Sequence, residues 1–302
     1  MAATWVDLLD PSPDELKQAA PRELEETAVE LLLADPKHDD EPRPTLQGHG
    51  DYVFGIFLLA RAALEEDCIY YQEIGLVITH DTLLTVRKTP PNRAPYDIAP
   101  VQHAVKQTDS AGMMAYRLVD NIAEAYLDLV DDVDAEIDEL EDRVETQSSE
   151  ETRARISGIR HDLLHIRRTL APMRDAVRRV VDDVVEVEEG AEVFPHDVEV
   201  AFNGAYDKLL RAFDGLELSR DLLASVRDYH QSKIANDQNE VMKRLTVIAS
   251  LLLLPTFIVG LYGQNFVDIP ELRWHWGYGY VWAVIAATTV VQLWFYKRRD
   301  WI

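Results

Sequence analysis

The C-terminal part of the chain contains two long apolar stretches separated by a short polar segment. Residues 245–267 and 274–296 each run for 23 positions without Asp, Glu, Lys or Arg. At a rise of about 1.5 Å per residue, a helix of either length crosses the hydrocarbon core of a bilayer, which is about 30 Å thick. The pattern therefore predicts transmembrane helices at about 245–263 and 277–297, joined by an outside loop at 264–276.

Aromatic and basic residues flank these stretches in the arrangement typical of membrane helices. Trp and Tyr residues stand at both ends of the second stretch, where the two bilayer interfaces would lie. Lys243 and Arg244 precede the first stretch and Lys-Arg-Arg at 297–299 follows the second, whereas the loop carries more acids than bases. Because positive residues favour the cytoplasmic side, we expect a multi-pass protein of the cell membrane with both termini in the cytoplasm.

Near the N-terminus, short segments rich in β-branched and aromatic residues alternate with turns, which is typical of strands. Ser12-Pro-Asp-Glu15 has the form of a helix start, with Ser12 as the cap and Glu15 reaching back to it. The stretch 37–50 is polar and rich in Pro and Gly, which predicts a loop. The predicted strands are 52–59, 68–71, 76–79 and 82–86.

Beyond about residue 110, apolar residues recur every three or four positions, which is the period of an amphipathic helix. One series runs from Leu118 to Val144 and a second from Ile156 to Val180. A third helix begins near Asp197 and meets no turn signal before the first apolar stretch, so we expect it to run into the membrane as a stalk. The predicted domains are a cytoplasmic α/β domain at 1–105, a long-helix region and stalk at 106–244, and two transmembrane helices at 245–302.

The excess negative charge of the chain is confined to the part before the membrane stretches. The formal net charge is −24; residues 246–302 hold three acids and four bases, so residues 1–245, with 51 acids and 26 bases, carry −25. Such a surface repels phosphate backbones, which argues against nucleic acid as a partner, and it attracts cations. With one cysteine, no phosphate-binding Gly loop and no nucleophile motif, we predict no enzyme and no organic cofactor.

One face of the first apolar stretch is lined mostly by small or weakly polar residues. They fall at helical spacing: Thr246, Ala249, Leu253, Thr256, Gly260 and Gly263. A two-span subunit cannot enclose a pore alone, so transport would require several copies around an axis. Small residues also serve ordinary packing between membrane helices, and the pattern alone leaves both interpretations open.

The segment after this stretch carries a distinctive motif. Tyr-Gly-Gln-Asn-Phe at 262–266, followed by Ile-Pro-Glu-Leu-Arg-Trp at 269–274, resembles the outer mouth of CorA-type magnesium channels, which have Tyr-Gly-Met-Asn-Phe and then Met-Pro-Glu-Leu. The resemblance begins at Trp5 and continues through the stalk, so it covers essentially the whole chain. It implies an α+β membrane protein that assembles as a homopentameric funnel, with the first span of each subunit lining the pore.

The resemblance also implies which residues meet the ion. The selectivity mouth would be Gly263, Gln264 and Asn265. The pore lining would be Asn239, Met242, Leu245, Ala249, Leu253, Thr256 and Gly260. The apolar members of this set suggest a narrow hydrophobic gate that closes by dewetting.

A ring of Asn265 amides suits Mg²⁺, which gives up its water shell reluctantly. Neutral amide oxygens can accept hydrogen bonds from the bound waters without stripping them, and the Gly263 carbonyl can join the same ring. Outside the pore, Asp268 and Glu271 would raise the local concentration of cations. A helix C-cap is the structural alternative for Asn265, and it fits the same position.

The family has Met where this chain has Gln264, which adds a second amide at the mouth. We expect Mg²⁺ as the transported ion, with Co²⁺ and Ni²⁺ as further candidates. The alternative within the superfamily is a zinc-transporting member. The alternative of another class is a non-conducting, membrane-anchored oligomeric sensor or scaffold.

Regulation in this family uses Mg²⁺ held by acids between neighbouring cytoplasmic domains. The resemblance puts Asp207 in that region, but Gly204 stands where the family has a bridging Asp. Residues 120–151 contain 14 acids and a single base, Arg143. Weak binding of several hydrated cations and a merely solvated acidic helix face are both compatible with this composition.

Overall fold

The computed structural model describes residues 3–35, 43–63, 68–185, 187, 192–265, 269–299 and 301. Within these residues the strands are β1 Thr4–Leu9, β2 Thr45–His49, β3 Tyr52–Ala63, β4 Cys68–Ile78 and β5 Thr82–Arg87. The helices are α1 Pro13–Ala19, α2 Glu26–Leu33, α3 Ala99–Ala104, α4 Ala111–Arg143, α5 Ser149–Val181, α6 His196–Tyr262, a 3₁₀ helix Pro270–Arg273 and α7 Gly277–Arg298. The chain divides into two compact units, Met1–Arg227 and Asp228–Ile302.

The five strands form one sheet in the order β1-β5-β4-β3-β2. β1 pairs in parallel with β5, with Val6 opposite Leu84, and the other three pairings are antiparallel. The pairing of β3 with β4 is the longest, extending from Val53 opposite Ile78 to Ala63 opposite Cys68. Because the sheet is mixed and mostly antiparallel, the first unit is an α+β fold, in agreement with the predicted fold class.

Helices cover both faces of this sheet. On one face, Leu16 of α1 and Leu32 of α2 pack with Phe54 and Val77 of the sheet. The backbone approaches α2 closely at Gly75, where an added Cβ would lie only 2.2 Å from the Leu32 side chain. A larger core on the other face joins the sheet to α4, α5 and the first part of α6.

The helices of the first unit follow the predicted pattern closely. The Ser12 hydroxyl oxygen accepts a hydrogen bond from the Glu15 backbone amide, and the Glu15 carboxylate accepts one from the Ser12 backbone amide. The predicted capping box is therefore confirmed. The apolar series in α4 and α5 are largely buried, as their helical period requires. The expected third helix runs without interruption from His196 to Tyr262, through most of the first apolar stretch.

The strand prediction was wrong at β4, where one strand, Cys68–Ile78, replaces the two predicted at 68–71 and 76–79. The residues between the two predicted segments include the polar Gln72 and Glu73. In the fold, Gln72 donates its side-chain amide to the Ala94 carbonyl at 3.0 Å, and Glu73 pairs with Lys88 at 2.5 Å. Because both polar side chains find partners while buried, the strand continues through them.

The predicted loop at 37–50 was also wrong in part, because its end is strand β2. Residues 45–49 pair antiparallel with β3, with Leu46 opposite Gly55. Residues 37–42 lie outside the described residues. β2 is an edge strand that pairs with β3 across the tight turn at Gly50 and Asp51. Its Gly and polar residues are weak strand formers, so the local composition favoured a loop.

Candidate functional site

The two predicted membrane stretches are helices in the second unit, and their side chains are largely unburied. Both helices, α6 with its apolar end before Tyr262 and α7, are long and apolar enough to span a bilayer. Large apolar side chains such as Leu253, Phe257 and Trp276 are more than half exposed. Core helices of a soluble protein would bury such residues, so the exposure favours a lipid or oligomeric environment.

α6 and α7 meet along one face of α6. Val247 and Ile258 are the buried apolar residues of α6 there. Between them, Ser250 accepts a hydrogen bond at Oγ from the Tyr296 hydroxyl at 2.7 Å, and its carbonyl accepts one from the Gln292 amide at 3.2 Å. These bonds fix the rotation of α6 relative to α7, because both end on a single residue of α6.

The residues predicted to line the pore lie on the opposite face of α6. Ala249 is two positions after Val247 and Thr256 is two positions before Ile258. Two residues correspond to just over half a turn of an α-helix. All seven predicted pore residues, Asn239, Met242, Leu245, Ala249, Leu253, Thr256 and Gly260, are exposed in the single chain. Contact with α7 therefore leaves this whole stripe uncovered.

Two threonine hydroxyls on and beside the stripe are satisfied within α6 itself. The Thr256 hydroxyl donates to the Leu252 carbonyl at 2.7 Å, and Thr246, beside the stripe, donates to the Met242 carbonyl at 2.8 Å. Apart from the adjoining backbone of α6, no atom of the described residues lies within 4 Å of a Cβ built at Gly260. The other stripe residues from Leu245 to Gly260 are apolar.

The predicted mouth follows directly after α6. The Gly263 amide donates to the Val259 carbonyl at 2.9 Å, and the chain then leaves the helix. Gln264 and Asn265 are exposed. Among the described residues, positive φ occurs at Asp10, Gly50, Asn92 and Asp183 and not at 263–265. The helix thus ends without the left-handed residue of a common C-cap, which removes one argument for the capping role of Asn265.

The rest of the outer loop is held against the start of α7. The 3₁₀ helix Pro270–Arg273 contains Glu271, whose carbonyl accepts from the Trp274 amide at 3.3 Å. The Trp274 ring packs edge-on against Tyr280 with centroids 5.6 Å apart. Glu271 is half-buried at this position, whereas Asp268, the other acid predicted to attract cations, lies outside the described residues.

The predicted regulatory acid Asp207 is exposed on α6 in the first unit. Its neighbour Lys208 reaches α4, where its ammonium group lies 2.9 Å from Asp120 Oδ1 and 2.8 Å from Glu124 Oε2. Burial acts to lower the pKa of Lys208, but the hydrogen bonds to Glu124 and Asp120 outweigh it and raise that pKa. Within the described residues of one chain, no group of three or more acidic, His or Cys side chains is arranged to hold a metal ion.

Two features of the site were missed in the sequence. Ser250 and Gln292 are polar residues inside apolar stretches, a signal that could have indicated the contact between the spans. Lys208 gave no comparable signal, because its partners on α4 are more than eighty positions away.

The comparisons with known proteins agree with this architecture. The sequence model of the family described as CorA-like Mg²⁺ transporter protein matches residues 2–298. The cobalt/magnesium transport protein CorA of Thermotoga maritima is 29% identical over 266 residues, which cover 86% of this chain and 73% of that protein. The complete structure of the CorA magnesium transporter from Methanocaldococcus jannaschii has a TM-score of 0.81 at 21% identity and covers 100% of this chain and 92% of its own.

A cytoplasmic domain is also similar in structure. The ZntB cytoplasmic domain from Vibrio parahaemolyticus has a TM-score of 0.58 at 17% identity, over 77% of this chain and 88% of its own. At such identities the two structural likenesses show the fold alone: a sheet domain, a long helix and two C-terminal apolar helices. The family match spans nearly the whole sequence and confirms the predicted class of divalent-cation transporter. The chain therefore belongs to the CorA-like Mg²⁺ transporter family.

Proposed function

We propose that this chain is the subunit of a homopentameric channel that carries Mg²⁺ across the cytoplasmic membrane into the cell. The observation that carries the proposal is the uncovered stripe on α6. It runs from Asn239 to Gly260 on the face turned away from the contact with α7, and it ends at Gly263, where the mouth begins. A surface of apolar and weakly polar residues at membrane depth, uncovered in the single chain, is suited to line an axis formed by several copies.

Oligomerisation follows from the geometry of a single subunit. Two helices cannot enclose a pore, so the stripe becomes a pathway only when copies of α6 surround an axis. In that arrangement α7 would lie outside α6 and face lipid, in keeping with exposed apolar side chains such as Val290 and Val291. The number five comes from the resemblance to CorA-type channels.

The orientation in the membrane follows from the charges at the ends of the two spans. Lys243 and Arg244 stand at the start of the first span, and residues 297–299 follow the second. Positive residues in these flanks favour the cytoplasm, so both termini would be inside and the mouth at 263–265 outside. The acidic first unit would then be cytoplasmic.

Selection at the mouth would rest on Asn265. Mg²⁺ keeps its water shell tightly and prefers octahedral oxygen coordination. A ring of Asn265 amides, with the Gly263 carbonyls beside it, can hydrogen-bond these waters without replacing them. Co²⁺ and Ni²⁺ are further candidate ions, and Gln264 bears on the choice because its amide is exposed next to Asn265.

Regulation would come from the charge of the cytoplasmic part. Residues 1–245 carry −25 per subunit, and several such domains around one axis repel each other. Mg²⁺ bound between neighbouring domains, with Asp207 as one candidate ligand, would relieve this repulsion and hold the channel closed. Loss of the ion from the cytoplasmic side would then open it.

The test is Mg²⁺ flux into liposomes that contain the full-length protein. We expect flux well above that of empty liposomes, and we expect Asn265→Ala to remove most of it. Asn203→Ala is a matched control, because it deletes an exposed amide of α6 that bonds the Glu199 carbonyl in the first unit. Absence of flux in the wild type would leave the non-conducting scaffold, and Zn²⁺ flux in excess of Mg²⁺ flux would favour the zinc transporter.

A further inference from the structure

A cavity of about 770 Å³ adjoins the start of the first membrane span. Seven α6 residues between 236 and 246 form one side of it, and Trp301 near the C-terminus forms the other. Asn239 and Met242, which belong to the proposed pore stripe, are at one edge. Asn236, Lys243 and Arg244 form the part nearer the α7 side. The cavity thus extends from the stripe to the α7 side of α6, within the second unit and at the start of the first apolar stretch.

The charges around this cavity are layered along α6. Lys243 and Arg244 occupy the turn adjoining the apolar span, whereas the acids Asp237 and Glu240 lie one to two turns farther from it. Glu240 is an i, i+4 ion-pair partner of Arg244, and among the described residues Lys243 is the cation of the lining for which no ion pair is formed. The side nearest the membrane is therefore positive within a chain whose net charge is −24.

The end of α7 adds three further cations at the same end of the spans. Lys297, Arg298 and Arg299 are all exposed. The Arg298 guanidinium lies over the Trp294 ring and that of Arg299 over the Phe295 ring, each 5.4 Å from the ring centroid. Stacking on aromatic rings keeps the guanidinium groups close to the level of the bilayer interface.

Trp301 is held beside α6 by specific contacts. Its backbone amide donates to the Tyr296 carbonyl at 3.1 Å, and its indole stacks on the Tyr296 ring with centroids 5.8 Å apart and planes at 18°. The Tyr296 hydroxyl in turn donates to Ser250 of α6. Trp301 thus packs on Tyr296 of α7, and an interfacial Trp becomes one wall of the cavity.

We propose that this cavity binds the headgroup of an anionic phospholipid from the cytoplasmic leaflet. Lys243 would bind the phosphate, with Arg244 and the cations at the end of α7 around it, and the Trp301 indole would lie against the glycerol and upper acyl carbons. Basic pockets at the cytoplasmic ends of membrane helices bind anionic headgroups in this way. The apolar wall and the adjoining span favour a lipid over a free phosphate. The proposal rests on the proposed insertion of α6 and α7 into a bilayer, but not on conduction.

Native mass spectrometry of the full-length protein in detergent tests the proposal. The protein is titrated with phosphatidylglycerol and with phosphatidylcholine of the same acyl chains, and bound lipid is counted per subunit. We expect phosphatidylglycerol to bind more tightly, and we expect Lys243→Gln to weaken it about fivefold, since one cation near the surface contributes about that factor. Lys243→Arg should retain binding, and Arg273→Gln, at the opposite end of the spans, is the matched control.

Each outcome bears on the proposal. Equal affinity for the two lipids, or an unchanged affinity in Lys243→Gln and Trp301→Ala, would overturn it. Soluble glycerol phosphate is tested as a third ligand. If it binds as tightly as phosphatidylglycerol, the cavity is a site for free phosphates instead of lipids. Because the readout is bound lipid, a protein that binds phosphatidylglycerol but passes no ions would contradict the proposed function and leave this proposal standing.

Discussion

The Tyr296 hydroxyl donates a hydrogen bond to Ser250 Oγ at 2.7 Å, and this contact joins the two membrane helices across 46 positions of sequence. The bond therefore holds α7 against one face of α6 and keeps the opposite stripe free.

Tyr296→Phe tests how much this hydrogen bond contributes to the stability of the protein. The substitution removes the hydroxyl but keeps the ring on which Trp301 stacks. We expect the free energy of unfolding in bicelles to fall by about 0.6 kcal/mol, the average for a hydrogen bond between membrane helices. A double-mutant cycle with Ser250→Ala should show coupling of similar size. Tyr278→Phe is the control, because that side chain is 81% exposed; an equal loss there would argue against the bond.

Gly277 marks the close contact between the outer loop and α7. A Cβ added at Gly277 would lie 2.2 Å from the Glu271 carbonyl oxygen, whereas a Cβ at Gly279 meets no atom within 4 Å. Gly277→Ala must therefore displace the segment that carries Glu271, at a cost of about 1–3 kcal/mol. We expect a lower melting temperature and reduced Mg²⁺ flux, while Gly279→Ala leaves both nearly unchanged. Equal behaviour of the two variants would show that the loop position is unimportant.

The elements that were predicted well are those that a pattern within the element itself identifies. The helical period of α4 and α5 and the 23-residue apolar runs each identify an element without reference to the rest of the chain. β4 could not be predicted as one strand, because Gln72 and Glu73 are acceptable in its middle only when Ala94 and Lys88 supply partners. Local patterns do not encode such partners.

The candidate site likewise has features that a local sequence pattern identifies and features that depend on distant residues. The part of the stripe from Ala249 to Gly260 could be found from spacing, since it lies on a single helix, whereas Asn239, Met242 and Leu245 were named from the resemblance to the family. The exposure of the stripe depends on which face of α6 is covered by α7. That face is determined by hydrogen bonds to Ser250 from residues of α7 that are more than forty positions away. The proposed ligands between subunits are harder still to predict, because they would come from side chains of two copies of the chain.

Lys208 acts as a fixed cation between two carboxylates of α4. Lys208→Met would leave Asp120 and Glu124 one helical turn apart and without their counterion. We expect the variant to melt at a lower temperature in chelator than the wild type and to recover more on addition of Mg²⁺, which can take the place of the ammonium group. Lys17→Met, at an exposed position on α1, is the control. An equal Mg²⁺ response in wild type and Lys208→Met would contradict this role.

Gln264 is expected to affect the choice among ions. Gln264→Met replaces an amide oxygen with a thioether sulfur, a soft ligand that favours Co²⁺ and Ni²⁺ over Mg²⁺. We expect the ratio of Ni²⁺ to Mg²⁺ flux in liposomes to rise, with Mg²⁺ flux retained because Asn265 is intact. Gln264→Leu controls for size without sulfur. If both variants keep the wild-type ratio, the side chain at 264 does not face the ion.

Gly204 offers a direct test of the regulatory region. Among the described residues, and apart from the adjoining backbone of α6, the one atom within 4 Å of a Cβ at this position is the Tyr116 hydroxyl oxygen, at 3.9 Å, so a larger side chain fits. Gly204→Asp would add a carboxylate one turn before Asp207 on the exposed face of α6. If Mg²⁺ between subunits closes the channel, the cytoplasmic Mg²⁺ concentration that halves the flux should fall severalfold. Gly204→Asn has the same shape without the charge and should leave that concentration unchanged; a shift of equal size in both variants would attribute the effect to packing rather than to metal binding.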